Sequence, residues 1–127
     1  MKLVICEKPS VAKAVASALG VTSRADGCFE GNGLIVSWCV GHLVSPMDAA
    51  GYDPGYKKWK YDDLPILPEP FRYVLAKGKE DTFQNLKHLM EREDVTELVN
   101  ACDAGREGEL IFRLVYEMAG CQKPFSR

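Results

Sequence analysis

Apolar positions along the chain switch between two periods. Leu3, Val4, Ile5 and Cys6 form a short continuous run, and Val11, Ala14, Val15, Ala18 and Leu19 then recur at helical spacing. The same switch returns near the end. Residues 97–102 make an apolar run of strand length, and Leu110, Ile111, Leu114, Val115 and Met118 share one helix face. Both places predict strand, tight turn and helix. Pro9 and Ser10 suit the first helix start, Pro through its fixed φ and Ser as a cap, and Gly20 suits its end. In between, residues 27–30 and 34–40 flank Gly31-Asn32-Gly33 and read as a hairpin added antiparallel to the sheet, since Asn-Gly supplies the positive φ of tight turns. Residues 72–76 read as a strand. Residues 79–91 read as a helix presenting Phe83, Leu86, Leu89 and Met90, and a last helix runs from about 107 to 119. The expected fold is α/β, with a mainly parallel central sheet of about four strands flanked by helices, plus the added hairpin.

Charge concentrates at the two strand-to-helix joints. Glu7 ends the first strand and Asp103 ends the last. If those strands neighbour each other in one parallel sheet, both carboxylates reach the same carboxyl edge, where ligands bind in such sheets. Asp103, Glu107 and Glu109 lie within seven residues and repel one another unless solvent, a base or a cation offsets them. Mg²⁺ fits such a sparse acidic edge, because it keeps several waters and needs one or two carboxylates plus substrate phosphates. Gly105 and Gly108 allow a tight turn and close approach to the main chain. Plainer uses exist for each group. Glu107 and Glu109 can simply favour a helix dipole, and Glu7 can pair with Lys8 or Lys13 for about 0–1 kcal/mol. Lys8 is either solvated or a point charge for a phosphate. His42, just after the hairpin, contacts a phosphate or hydrogen-bonds a carbonyl; the structural role is preferred, since the ligand role needs partners the sequence does not show.

Residues 45–70 differ in character, holding five of the seven prolines, with Tyr52, Tyr56, Trp59 and Tyr61 interleaved with Lys57, Lys58 and Lys60. A long ordered loop with little regular structure is expected. Such aromatics can stack bases or staple the loop to the core. Stapling is preferred, because so long a loop must bury something to stay ordered. With 127 residues, 46% hydrophobic and 27% charged, the chain fits one soluble globular domain. A net charge of −2 excludes a module that holds nucleic acid by charge alone. The cysteines number five, without paired metal spacing, and Cys6, Cys39 and Cys102 sit in apolar runs. Reduced core thiols are expected, with neither zinc nor a disulfide framework. No stretch approaches the ~20 apolar residues of a membrane span and no signal-peptide pattern opens the chain, so a cytoplasmic protein with no membrane partner is expected. Residues 121–127 show neither a capping element nor a polar tail, which reads as the edge of a larger chain.

Several separated motifs together resemble the Toprim domain at the amino terminus of type IA DNA topoisomerases, on the topoisomerase III branch. Leu3-Val4-Ile5-Cys6-Glu7-Lys8-Pro9-Ser10 resembles the opening strand and glutamate, and Gly41-His42-Leu43 the signature after the hairpin. Tyr52-Asp53-Pro54 through Trp59, then Leu64-Pro65-Ile66-Leu67-Pro68, resembles the loop of that branch. Asp103-Ala104-Gly105-Arg106-Glu107-Gly108-Glu109 resembles the acidic motif. The resemblance covers essentially all of residues 1–127 and implies one Rossmann-like Toprim domain, cut from a larger multidomain enzyme. It implies an ATP-independent, Mg²⁺-dependent enzyme, with Mn²⁺ as a substitute, that breaks one DNA strand through a phosphotyrosine link, passes another and reseals. By position, Glu7 would be the general acid/base and Lys8 would contact the scissile phosphate. Glu7, Asp103 and Glu107 would form the metal set, with Glu109, Arg106 and His42 as possible additions. The implied partners are DNA, single-stranded at the cleavage site, and the remaining domains. The family's fullest pattern has aspartate at the position of Gly105, so this chain has one acid fewer for a second metal. None of Tyr52, Tyr56, Tyr61, Tyr73 or Tyr116 matches the nucleophile motif, so these residues alone are not expected to cleave DNA. Competing expectations are a Toprim domain of a primase or nuclease, and a non-catalytic interaction module.

Overall fold

In the computed structural model, which describes residues 1–127, the first apolar run forms β1 (Lys2–Cys6) and the helical spacing after it forms α1 (Pro9–Ala18). Helix α1 starts on Pro9 with Lys8 at the N-cap, and no side chain caps it, so Ser10 does not play the capping role its type suggested. There follow β2 (Ser23–Ala25), β3 (Cys28–Gly31) and β4 (Leu34–Trp38), then β5 (Val44–Pro46) and α2 (Ala49–Tyr52). The chain closes with β6 (Tyr73–Leu75), α3 (Glu80–Glu91), β7 (Glu97–Ala101), α4 (Arg106–Met118) and β8 (Phe125–Ser126).

The main sheet has the order β2-β3-β4-β1-β7-β8. Strand β1 is central and pairs in parallel with β4 on one side and β7 on the other. Its register sets Cys6 opposite Trp38 and Ala101. Glu7 and Cys102 therefore leave the sheet level with each other, and Asp103 one residue further on. One face carries the larger core, in which Leu3, Ile5, Ile35 and Leu98 meet Phe83, Leu86 and Met90 of α3 and Ile111, Phe112 and Val115 of α4. The opposite face carries Val4, Cys6 and Val36 against Ala12 and Ala16 of α1. Small α1 residues let that helix lie close to the sheet.

Three expectations need correction. The hairpin is not an appendage: β4 is a core parallel strand, and only β3 and β2 run antiparallel beyond it. Its Asn32 and Gly33 do take positive φ, 52° and 73°, so the turn was legible while the arm that enters the sheet was not. Residues 73–75 pair with β5 in a separate two-stranded ribbon. The tail is also docked: β8 pairs in parallel with β7, and the Tyr116 hydroxyl donates to the Lys123 carbonyl at 2.9 Å. Phe125 packs with its ring centre 5.1 Å from Phe112 and 5.0 Å from Tyr116. Phe112 is fully buried at the centre of this group, so Phe112→Ala is expected to cost about 3–5 kcal/mol in chemical denaturation.

The long loop reverses the stapling expectation at its middle. Tyr52 does tie it down, since its hydroxyl accepts from the Arg72 amide at 2.5 Å and donates to the Arg72 carbonyl at 3.3 Å. Trp59 and Tyr61, however, are 77% and 91% exposed. All five cysteines are free thiols, four of them buried, and burial pushes the Cys6 thiol up to about 11. No helix is long and apolar enough to cross a membrane.

Candidate functional site

The carboxyl ends of β1 and β7 and the first turn of α4 enclose a cleft of about 430 Å³. Glu7, Lys8, His42, Asp103 and Glu107 all line it. The two strand-end carboxylates therefore meet, as the parallel pairing requires. Glu7 is only 8% exposed, and its carboxyl is within hydrogen-bonding reach of the Asp103 carboxyl. Burial raises the Glu7 pKa above its ordinary 4.5, the bond to Asp103 and the charges of Asp103 and Glu107 raise it further, and Lys8 opposes them. Two carboxyl groups thus face each other at the sheet edge, where burial and neighbouring negative charge disfavour ionisation of Glu7.

On another wall of the cleft, Nε2 of His42 lies 3.1 Å from Oε1 of Glu107. The histidine reaches the cleft by pairing with an acid, a partner the sequence did not reveal. Glu107 is held by that contact, and no group of three or more Asp, Glu, His or Cys side chains stands together at metal-ligand spacing. Glu7 and Asp103 are in contact; Glu107 shares their cleft without joining them.

Glu109 does not line this cleft. Its carboxylate accepts from Arg113 Nε at 2.8 Å, from Asn100 Nδ2 at 3.0 Å and from Arg127. The Arg113 hydrogen bond, then the charges of Arg113 and Arg127, hold its carboxyl below the ordinary value. These contacts make Glu109 part of a brace behind the joint. Arg127 also donates to the Asp103 carbonyl oxygen at 2.5 Å, and the buried Asn100 accepts from the Cys102 amide at 3.1 Å. Sequence reasoning missed both Asn100 and Arg127. The amide in the middle of an apolar strand was the available signal for Asn100; nothing in the tail marked Arg127. Arg106, exposed in the first turn of α4, is likewise absent from the cleft lining.

The two glycines of the joint do different work. A Cβ on Gly108 would lie 2.1 Å from the Asp103 carbonyl oxygen, so α4 sits directly on the end of β7 only because that atom is missing. Gly105, the N-cap of α4, has φ −90° and needs no special backbone freedom. A Cβ there would meet nothing within 4 Å.

Glu7 and Asp103 pass the chemical test for a hard divalent cation. They are neighbouring oxygen donors at an open cleft, whose mutual repulsion a cation would offset, with room for water and phosphate oxygens. Glu107 lines the same cleft, where it contacts His42. Gly105→Asp is expected to fold as well as the parent or a few tenths of a kcal/mol better, since Asp caps a helix better than Gly. It adds an acid at the cleft, and should tighten Mn²⁺ binding several-fold in a titration.

Fold and cleft together define an α/β domain with an acidic site at the carboxyl edge of a parallel sheet. Residues 2–127 match the Toprim domain family, and the chain belongs to it. It is 45% identical over 126 residues to the DNA topoisomerase 3 of Shouchella clausii, covering 99% of this chain and 17% of that protein. It is 42% identical over 125 residues to the DNA topoisomerase 3 of Bacillus subtilis, covering 98% of this chain and 17% of that one. The corresponding protein of Staphylococcus epidermidis is 40% identical over 125 residues, with 98% and 18% covered. The chain thus spans less than a fifth of the length of these relatives.

Proposed function

We propose that the chain supplies the acidic half of the cleavage site of a type IA DNA topoisomerase of the topoisomerase III kind. The observation that carries this is the Glu7–Asp103 contact at the sheet edge. Asp103 and Glu107, with Glu7, would hold Mg²⁺, for which Mn²⁺ can substitute; the bound cation would polarise the scissile phosphate and stabilise the charge that develops on it. Glu7 would act as general acid and base, giving a proton to the departing 3′-oxygen and taking it back on resealing, a role that its raised pKa suits. Lys8, exposed at the N-cap of α1 and on the cleft wall, would meet a non-bridging phosphate oxygen. His42 would hold Glu107 in place until the cation arrives. The tyrosine nucleophile, the gate and the wider DNA channel would belong to the remainder of a longer chain, and ATP has no part in the reading. The same reading places the protein in the cytoplasm, on the nucleoid.

Titration of the 127-residue chain with Mn²⁺, followed by paramagnetic relaxation of water protons, tests the site. Saturable binding that disappears in Asp103→Ala is the expected result. Binding unchanged by that substitution would sink the assignment.

A further inference from the structure

The middle of the long loop presents exposed aromatic and basic side chains apart from the acidic cleft. Trp59 and Tyr61 are the two most exposed large apolar side chains of the molecule, at 77% and 91%. Lys57, Lys58 and Lys60 alternate with them, are exposed, and take part in no ion pair. From Tyr56 to Tyr61 the chain carries three lysines and no acid. Beside this run, Trp59 forms one wall of a hollow of about 310 Å³ whose other walls include Tyr52 and Phe71.

We propose that this loop is a docking surface for single-stranded DNA outside the acidic cleft. Bases stack on Trp59 and Tyr61, one of them entering the hollow beside Trp59, and the three lysines meet the phosphates between. Aromatics offered beside basic residues are how proteins hold single strands without reading sequence. A protein partner fits less well, since lysines are depleted from the cores of protein interfaces. Asp62 and Asp63, directly after the run, confine the phosphate path to the lysine side. The surface also answers the weak overall charge: with a net charge of −2, stacking has to supply what electrostatics does not. The choice of DNA rests on the function proposed above; the stacking surface rests on the loop itself.

The test uses dT20 as the probe, at low salt and in EDTA. EDTA removes the cleft cation from play, so failure here is separate from failure of the Mn²⁺ titration. Quenching of tryptophan emission should saturate with a dissociation constant of roughly 10⁻⁴–10⁻⁶ M, and a duplex of equal length should bind more weakly. By anisotropy of labelled dT20, Trp59→Ala and Tyr61→Ala should each weaken binding about 5- to 150-fold. Their exposure makes unfolding an implausible cause, and circular dichroism checks it. Replacing Lys57, Lys58 and Lys60 with Gln should flatten the slope of log K against log salt by about 2. Unchanged affinity in both aromatic variants would overturn the proposal, as would absence of saturable binding by the parent chain. Self-association of the chain that is lost in Trp59→Ala, with no dT20 binding, would overturn it in favour of a contact between copies.

Discussion

Glu7→Gln is expected to make the metal-free chain more stable at neutral pH while abolishing the proton transfer that the proposed function assigns to this residue. The Glu7 carboxyl is nearly buried and faces Asp103, and its pKa is raised above 4.5 in the folded chain. Well below the ordinary value, both folded and unfolded chains hold the proton and the group contributes nothing to pH dependence. As pH rises, the unfolded chain releases its proton first, so wild-type stability falls until the pH passes the raised folded pKa. Glutamine has no proton to release. Its amide can donate to the Asp103 carboxylate, so its stability curve should lack this decline and lie above wild type at pH 7. Urea denaturation in EDTA across pH 4 to 8 would measure it; coincident curves at every pH would contradict the proton assignment. If Glu7 is the general acid and base of the proposed topoisomerase reaction, its loss in a full-length topoisomerase should lower turnover about 10²- to 10⁴-fold, the usual weight of such a group. Opposite signs for stability and activity distinguish a strained functional carboxyl from an ordinary surface acid, whose removal moves neither.

Much of this site was legible because its logic is local. Alternation of strand and helix periods located β1, α1, β7 and α4 nearly to the residue, and a parallel pairing of β1 with β7 then forces Glu7 and Asp103 to one edge. What the sequence did not carry was non-local or depended on which of two surfaces a side chain chooses. Glu109 sits two residues after Glu107, yet in a helix that separation turns it to a different face, where Asn100, Arg113 and Arg127 hold it. The tail residue Arg127 acquires meaning only once β8 lies beside β7. The hairpin pattern of residues 28–38 fixed a turn, but nothing local shows that β4 and not β3 meets β1. Trp59 and Tyr61 are the instructive failure. A long loop must bury something to stay ordered, and Tyr52 on the Arg72 main chain meets part of that need, leaving the two most conspicuous aromatics free.

Gly108→Ala is expected to damage fold and site together, although alanine is the better helix former by about 1 kcal/mol. The added Cβ would lie 2.1 Å from the Asp103 carbonyl oxygen and 2.8 Å from the Asp103 amide nitrogen and carbonyl carbon. All three are main-chain atoms, so no rotamer change relieves the clash. Either α4 pivots away from the end of β7 or the turn at Gly105 opens. A pivot drags Ile111, Phe112 and Val115 from the core they share with β1 and α3, and overpacking of this kind typically costs about 1–3 kcal/mol, occasionally more. Opening the turn spares the core and moves Asp103 away from Glu7. Displacement of about 1 Å in a catalytic group can cost 10²-fold. Gly108→Ala should therefore lose at least 1 kcal/mol in urea denaturation and bind Mn²⁺ at least 10-fold more weakly, with Gly108→Val worse on both counts. Gly105→Ala is the matched control, since its Cβ would point into open space at an ordinary φ. It should leave stability nearly unchanged. A Gly108→Ala chain as stable as the parent, with equal Mn²⁺ affinity, would mean that α4 does not rest on the end of β7 in solution, and the geometry that brings Asp103 to Glu7 would have to be abandoned.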